Sequence, residues 1–543
     1  QTTLPHKLSQ YNPAMAAGDI DGNGLDDILV GGNPTFHAQV LLQQPGGRFT
    51  QKDFIQANEA GFPTDEGILL FDANGDGHKD VYIASGGYKA KAGENSYQDR
   101  LYINDGKGHF TRDSLALPLN HSSKLCVRAM DYNNDGKLDL FVSGRVNPWN
   151  YPKPVSSFIY RNDSKDGRVQ FTDVTATVAP DLINIGMVCD ALCTDFDNDN
   201  QVDLLLAGEW MPVTFLKNEG GKFVNVSAAS GISSQTGWWN SIVAGDFRHT
   251  GRTDYILGNT GLNTLYKASD AMPVHMTAKD FDHNGSYVPI PSLFLPAKDG
   301  SLQEFPAFGR DDIVERIPTL KKRFNDYKKF AEANMQTIFT PDMMQGAQRL
   351  TATQLQSCFL RNDGNGKFTL LPLPKQAQFS ALNGMLSGDF DDDGQLDVLI
   401  SGNDFGTEVS IGRLDALNGL LLKGDGKGGF LPLSILQSGV YIPGDGKALS
   451  GLVNSNGHYQ VAATQNRNVM KLFELKAQKT FIKVNDDDQF AILHYKDGSN
   501  SKQEFYFGDS FLSQSARYCV ADKNVNSITI TNTRGVSRNL AVK

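Results

Sequence analysis

No stretch of the 543 residues approaches the roughly 18 consecutive apolar positions that a membrane helix needs, so no helical span is expected. Cysteine is scarce: Cys126, Cys189, Cys193, Cys358 and Cys519 are too few and too scattered for a disulfide framework, and an odd number leaves one thiol free. Cys189 and Cys193, before an apolar strand, read as buried small residues rather than a redox pair. Positive charge is short, with 51 Lys+Arg against 61 Asp+Glu and a net charge of -10. Without a basic stripe, nucleic acid is not the expected partner. The histidines do not cluster: His121, His249, His275 and His283 lie on different turns without partners at ligand spacing. GxSxG, HExxH and P-loop motifs are absent, so no catalytic residue is assigned. The sequence starts at Gln1 with neither initiator Met nor signal peptide, which reads as a processed or fragmentary product.

Glycine is in excess, 54 residues or about 10% against an average near 7%, and implies many tight turns. They follow a repeat. An Asp-rich turn runs straight into a β-branched apolar stretch in DIDGNGLDDILVGG from Asp19, DANGDGHKDVYIASGG from Asp72 and DYNNDGKLDLFVSG from Asp131. The pattern returns in DFDNDNQVDLLLAG from Asp195 and DFDDDGQLDVLISG from Asp389, with a degenerate copy, DFRHTGRTDYILGN, from Asp246. Each copy is followed by a Gly-containing hairpin such as LYINDGKGHFT (101–111) or TFLKNEGGKFV (214–224). A further unit at 448–475 keeps the strand rhythm without the acidic turn. Units of about four short strands, repeated, predict an all-β, seven-bladed β-propeller over 1–477.

Spacing locates an interruption. Copies start 53, 59, 64 and 51 residues apart up to Asp246, and then the next hairpin waits until 359. An insertion of about 260–355 inside blade five is expected. It contains a helical pattern at 309–339, with Ile313, Ile317, Leu320, Phe324, Tyr327 and Phe330 on one face and Pro318 as a break. Residues 478–543 alternate apolar and polar positions and read as a separate small β domain.

The turns carry the chemistry. Oxygen-bearing side chains at positions 1, 3, 5 and 9, plus a carbonyl at 7, suit a hard divalent ion. These are Asp19, Asp21, Asn23, Leu25 and Asp27; Asp72, Asn74, Asp76, His78 and Asp80; and Asp131, Asn133, Asp135, Lys137 and Asp139. The remaining two sets are Asp195, Asp197, Asp199, Gln201 and Asp203, and Asp389, Asp391, Asp393, Gln395 and Asp397. An EF-hand is excluded, because position 12 is Val30, Ile83, Val142, Leu206 or Ile400 instead of the bidentate Glu. About five Ca²⁺ ions are therefore expected, in preference to Mg²⁺. Arg248 and Thr250 replace acidic ligands in the Asp246 copy, where an arginine takes the cation's place. Asp280, Asp282 and Asn284 in the insertion form a weaker set, with Val288 at position 9.

The DxDxDGxxD turns with FT-type hairpins resemble the FG-GAP/VCBS repeat family, whose integrin α-subunit propellers have seven blades. The resemblance covers about 12–475. GEWMPVTF (208–215), GNTGLN (258–263) and GDGKGGF (424–430) are similar to phrases in long repeat proteins of Bacteroidetes, and FYFGDSFLSQSARY (505–518) resembles the ASPIC/UnbV domain that ends many of them. The resemblance implies an exported, calcium-stabilised scaffold at the cell surface, outer membrane or periplasm. It also implies chains about twice this length, of which this resembles the second half.

A non-enzymatic interaction protein is thus expected, binding protein partners in an envelope complex: a preceding half of the same protein or an outer-membrane transporter. The alternative is a carbohydrate-binding propeller, with Trp149, Trp238 and Trp239 as ligand contacts. A calcium-assisted polysaccharide lyase is the third reading, and it lacks a positioned base.

Overall fold

Each acidic turn joins two antiparallel strands, and the aspartate at position 9 pairs with the residue just before position 1. The pairs are Gly18–Asp27, Phe71–Asp80, Met130–Asp139, Thr194–Asp203, Gly245–Asp254 and Gly388–Asp397. The computed structural model describes residues 3–55 and 63–542 and is 44% strand and 9% helix.

Among the described residues, seven antiparallel strand groups follow one another along the chain, the second and third forming one eight-stranded sheet. Their inner strands are Met15–Gly18, Thr64–Phe71, Ser123–Met130, Met187–Thr194, Ser241–Gly245, Leu382–Gly388 and Asp445–Val453. Each inner strand packs against the next, and the seventh packs against the first, so the contacts close on themselves in a propeller-like ring. These strands have almost no exposed face, since sheets cover both sides. That is why they read as continuous apolar runs rather than alternating ones. Sheets 2 and 3 are also joined edge to edge through Gly86 and Lys124.

In the fifth sheet, Asp254–Gly258 pairs directly with Cys358–Gly364, leaving 259–357 as an excursion. It builds a four-stranded sheet of its own, in the order Leu302–Pro306, Val288–Pro296, Val274–Lys279, Gln348–Ala352. Short helices cover it: Arg310–Arg316, a 3-10 turn at Pro318–Lys322, and Tyr327–Ala331. Pro318 ends the first helix, and Asp326 caps the third by accepting from Lys329 N–H. Ile313, Ile317, Leu320, Phe324 and Phe330 are buried as the periodicity predicts. Tyr327 departs from it: the break before Asp326 rotates the following helix and leaves the ring 66% exposed.

The last residues form a four-stranded sheet, Asn500–Glu504, Asp488–Tyr495, Val525–Asn532, Ser537–Ala541, beside the pair Thr480–Lys483 and Tyr518–Ala521. The unit sits on the ring, and its 505–516 loop enters the ring's axis. Leu512 O accepts from Met15 N–H, the Gln514 amide bonds both Leu70 N–H and O, and Ser510 Oγ accepts from Met385 N–H. Arg128 donates to Ser510 O at 2.8 Å, and Phe511 and Leu512 join the core around Met15. No helix among the described residues is long and apolar enough to cross a membrane.

Candidate metal centres

The five acidic turns share one geometry. Position 6 has positive φ in each, at Gly24, Gly77, Gly136, Asn200 and Gly394, a conformation that glycine and asparagine adopt readily. The position 1 carboxylate accepts the position 6 N–H, from Gly24 to Asp19, Gly77 to Asp72, Gly136 to Asp131, Asn200 to Asp195 and Gly394 to Asp389. The position 7 N–H of Leu25, His78, Lys137, Gln201 and Gln395 donates to the position 5 side chain at 2.8–2.9 Å. The turn thus wraps its own backbone donors around acidic side chains and leaves further lone pairs pointing together.

Carboxylate oxygens of Asp19, Asp21 and Asp27 lie within 4.8 Å of one another, as do those of Asp195, Asp197 and Asp199, and of Asp389, Asp391 and Asp397. In the turns from Asp72 and Asp131 position 3 is an amide. Asn74 Nδ2 donates to Asp76 at 2.9 Å and Asn133 Nδ2 to Asp135 at 3.0 Å. Such all-oxygen sets could hold a hard divalent cation. The insertion turn copies the backbone, with Gly285 N–H on Asp280 and Ser286 N–H on Asn284, but Val288 at position 9 is a buried strand residue. Asp282 is not drawn into that hydrogen bonding.

Position 9 is the deepest point. Asp27, Asp80, Asp139 and Asp203 are 0% exposed and Asp397 1%. Burial pushes Asp27, Asp80 and Asp397 up to about 7, Asp139 to about 8 and Asp203 to about 9, with the other acids of each turn adding to it. A buried carboxylate needs a compensating charge or a proton. In the degenerate copy that charge is visible: Arg248 donates from Nε and Nη2 to the two oxygens of Asp254, at 2.9 and 2.8 Å. Among the described residues the other five position 9 carboxylates have no such ion pair.

One set of residues escaped the reading of the sequence. Position 9 also holds the third strand of its sheet, accepting the backbone N–H of Gln43, Asn104, Asn162, Asn218 or Asn362 at 2.7–2.9 Å. The side-chain amide of that residue then crosses to the preceding sheet, onto the carbonyls of Ile20, Ala73, Tyr132 and Phe196 for the four asparagines. Gln43 reaches Val453 in the seventh sheet and so closes the ring by the same bolt. The signal was the Asn in YIND, YRND, LKNE and LRND, recurring one strand after each acidic turn. Gly424 stands there in sheet 6, where a Cβ would lie 2.1 Å from Leu396 O.

The tryptophans are redistributed. Trp239 is fully buried in the core shared by sheets 4 and 5, and Trp238 is 6% exposed between Trp210 and Tyr266. Packing, not ligand stacking, therefore occupies both. Trp149 is 40% exposed, with Lys91 Nζ 5.4 Å from its ring centre.

The FG-GAP-like repeat model matches residues 19–83, 72–142 and 195–257, each stretch opening on position 1 of an acidic turn. The chain carries FG-GAP-like repeats. No curated protein matches it. Among solved structures it is similar to a lectin of Agrocybe aegerita that recognises non-reducing terminal N-acetylglucosamine, at 16% identity and TM-score 0.39 over 79% of this chain and 81% of that one. It is also similar to the V. cholerae biofilm matrix protein Bap1, at 11% and 0.36 over 95% and 98%. A Bacillus licheniformis rhamnogalacturonan lyase follows at 9% and 0.23 over 100% and 91%. Scores this low carry no functional argument, and the reading rests on the FG-GAP-like repeats and their geometry.

Proposed function

We propose that the chain is a seven-bladed propeller stabilised by about five calcium ions, acting as a non-enzymatic interaction or scaffold protein of the cell surface or outer membrane. Asp254 is the observation that supports the ions most directly. Where a repeat loses its acidic ligands it gains Arg248 on the buried carboxylate, which supports a cation at the same point of the intact turns. The closed ring of inner strands supports the blade number. If five metals bound, their carbonyl and carboxylate contacts would rigidify the turns, while the protein's own residues do the recognising.

The C-terminal unit already covers much of the acidic face, so the excursion at 259–357 is the proposed contact surface for a protein partner. Leu295, Leu302 and Tyr327 stand 44%, 56% and 66% exposed on it. Metal analysis of the purified chain is the direct test: about five calcium ions per chain are expected, and a metal-free, equally stable protein would sink the reading. A pull-down from envelope extract with wild type and with Leu302→Asp/Tyr327→Ala then tests the surface. Equal capture by both would move the contact elsewhere, and a positive glycan array without protein capture would favour the carbohydrate-binding alternative through Trp149.

A further inference from the structure

The five turns differ in what the rest of the chain points into them. The residue just before the bolt position differs from sheet to sheet. It is Leu42 in sheet 1, Ile103 in sheet 2 and Arg161 in sheet 3, and Arg161 turns aside to bond Asp163 at 2.7 and 3.1 Å. In sheets 4 and 6 it is a lysine. Lys217 Nζ contacts Asp197 and lies 2.9 Å from Asp199; Lys423 Nζ contacts Asp391 and lies 2.7 Å from Asp393. Both ammonium groups bridge positions 3 and 5.

The same two turns receive a second lysine from the C-terminal unit. Lys502, 4% exposed, lies 3.3 Å from Asp195 and donates to Asn198 at 2.8 Å, with Glu504 at 3.0 Å on its other side. Lys479, 3% exposed, reaches Asp389 at 2.6 Å and Asp392 at 2.9 Å. The turns from Asp19, Asp72 and Asp131 have no such ammonium among the described residues.

We infer that the calcium-type turns fall into two classes: three open turns, at Asp19, Asp72 and Asp131, that bind a divalent cation tightly, and two lysine-held turns, at Asp195 and Asp389, that bind it weakly. A cation entering either of the latter has to displace ammonium groups from the carboxylates it needs, and part of that displacement loosens the seat of the C-terminal strands. The inference rests on the calcium reading above.

Calorimetric titration of the chelator-treated full chain with CaCl₂ separates the two. Three tight sites followed by two sites about tenfold or more weaker are expected. Lys217→Met and Lys423→Met keep side-chain length on partly exposed positions, and each should tighten one weak site about tenfold. Ile103→Lys should do the reverse and remove one tight site. Five equal sites, unmoved by these substitutions, would overturn the inference and leave the calcium reading intact. No binding at any site would end both.

Discussion

The turn at Asp246 and the turn at Asp131 have the same hydrogen-bonded backbone and opposite solutions to one electrostatic problem. Each buries a carboxylate at position 9, Asp254 or Asp139, fully out of water. The first supplies a guanidinium from Arg248, at position 3 of the same turn. The second surrounds its carboxylate with Asp131 and Asp135, which worsens the problem unless a cation arrives from solution. On the proposed calcium reading, covalent and dissociable charge are interchangeable at this point of the fold. What differs is whether stability depends on the medium.

The comparison breaks most severely at Arg248. Arg248→Met leaves Asp254 buried without its partner and should cost about 3–5 kcal/mol, visible as a lowered melting temperature in calcium and in chelator alike. Asp254→Asn added to it should recover much of the loss, and an unaffected single variant would refute the pairing. Next in size, Asp19→Ala with Asp21→Ala should lose one bound ion by metal analysis and about 1–3 kcal/mol, only when calcium is present. Loss of stability in chelator as well would mean that these side chains act without metal.

Asn218→Ala removes bonds to Tyr132 O and Val202 O and should cost about 1–2 kcal/mol whichever way the carboxylates are compensated. Glu66 offers a third solution, the proton, and its test is read in pH. It is fully buried, neither oxygen has a hydrogen-bond partner among the described residues, and burial, with Asp65 adding, pushes it up to about 8. The unfolded chain releases that proton near 4.5, so stability is lost as pH rises from there toward 8. Glu66→Gln should melt like wild type at pH 4 and well above it at pH 8, where the linkage across about 3.5 pH units amounts to several kcal/mol. A variant no more stable at pH 8 would show that Glu66 ionises against a cation.

The acidic turns, the strand after each and the interruption after Asp246 were legible because each is local: a few adjacent residues specify the turn and the run that follows. Arg248 was legible for the same reason, since it sits six residues from its partner. The bolts were half legible. Their asparagines recur in plain sight, but the carbonyls they reach belong to the neighbouring sheet, and adjacency of sheets is not written in any short segment. Lys479 and Lys502 lie about 90 and 300 residues from the aspartates they touch, beyond any spacing argument. Trp239 misled because a large aromatic beside a turn looks the same in sequence whether it faces solvent or a second sheet.

The loop at 505–516 also sets a timetable. Met15 opens the first sheet and Ser513 pairs beside it, so the axis of the ring cannot be filled until nearly 500 intervening residues have been made. At ~5–20 residues per second that is a wait on the order of half a minute or more for the earliest strands. Throughout it, Met15, Leu70 and Ala129 face an unfilled centre, and sheets 2 to 5 are each held by an asparagine bolt to the one before. The centre of the ring therefore closes only after residues 505–516 emerge, long after the strands they bind.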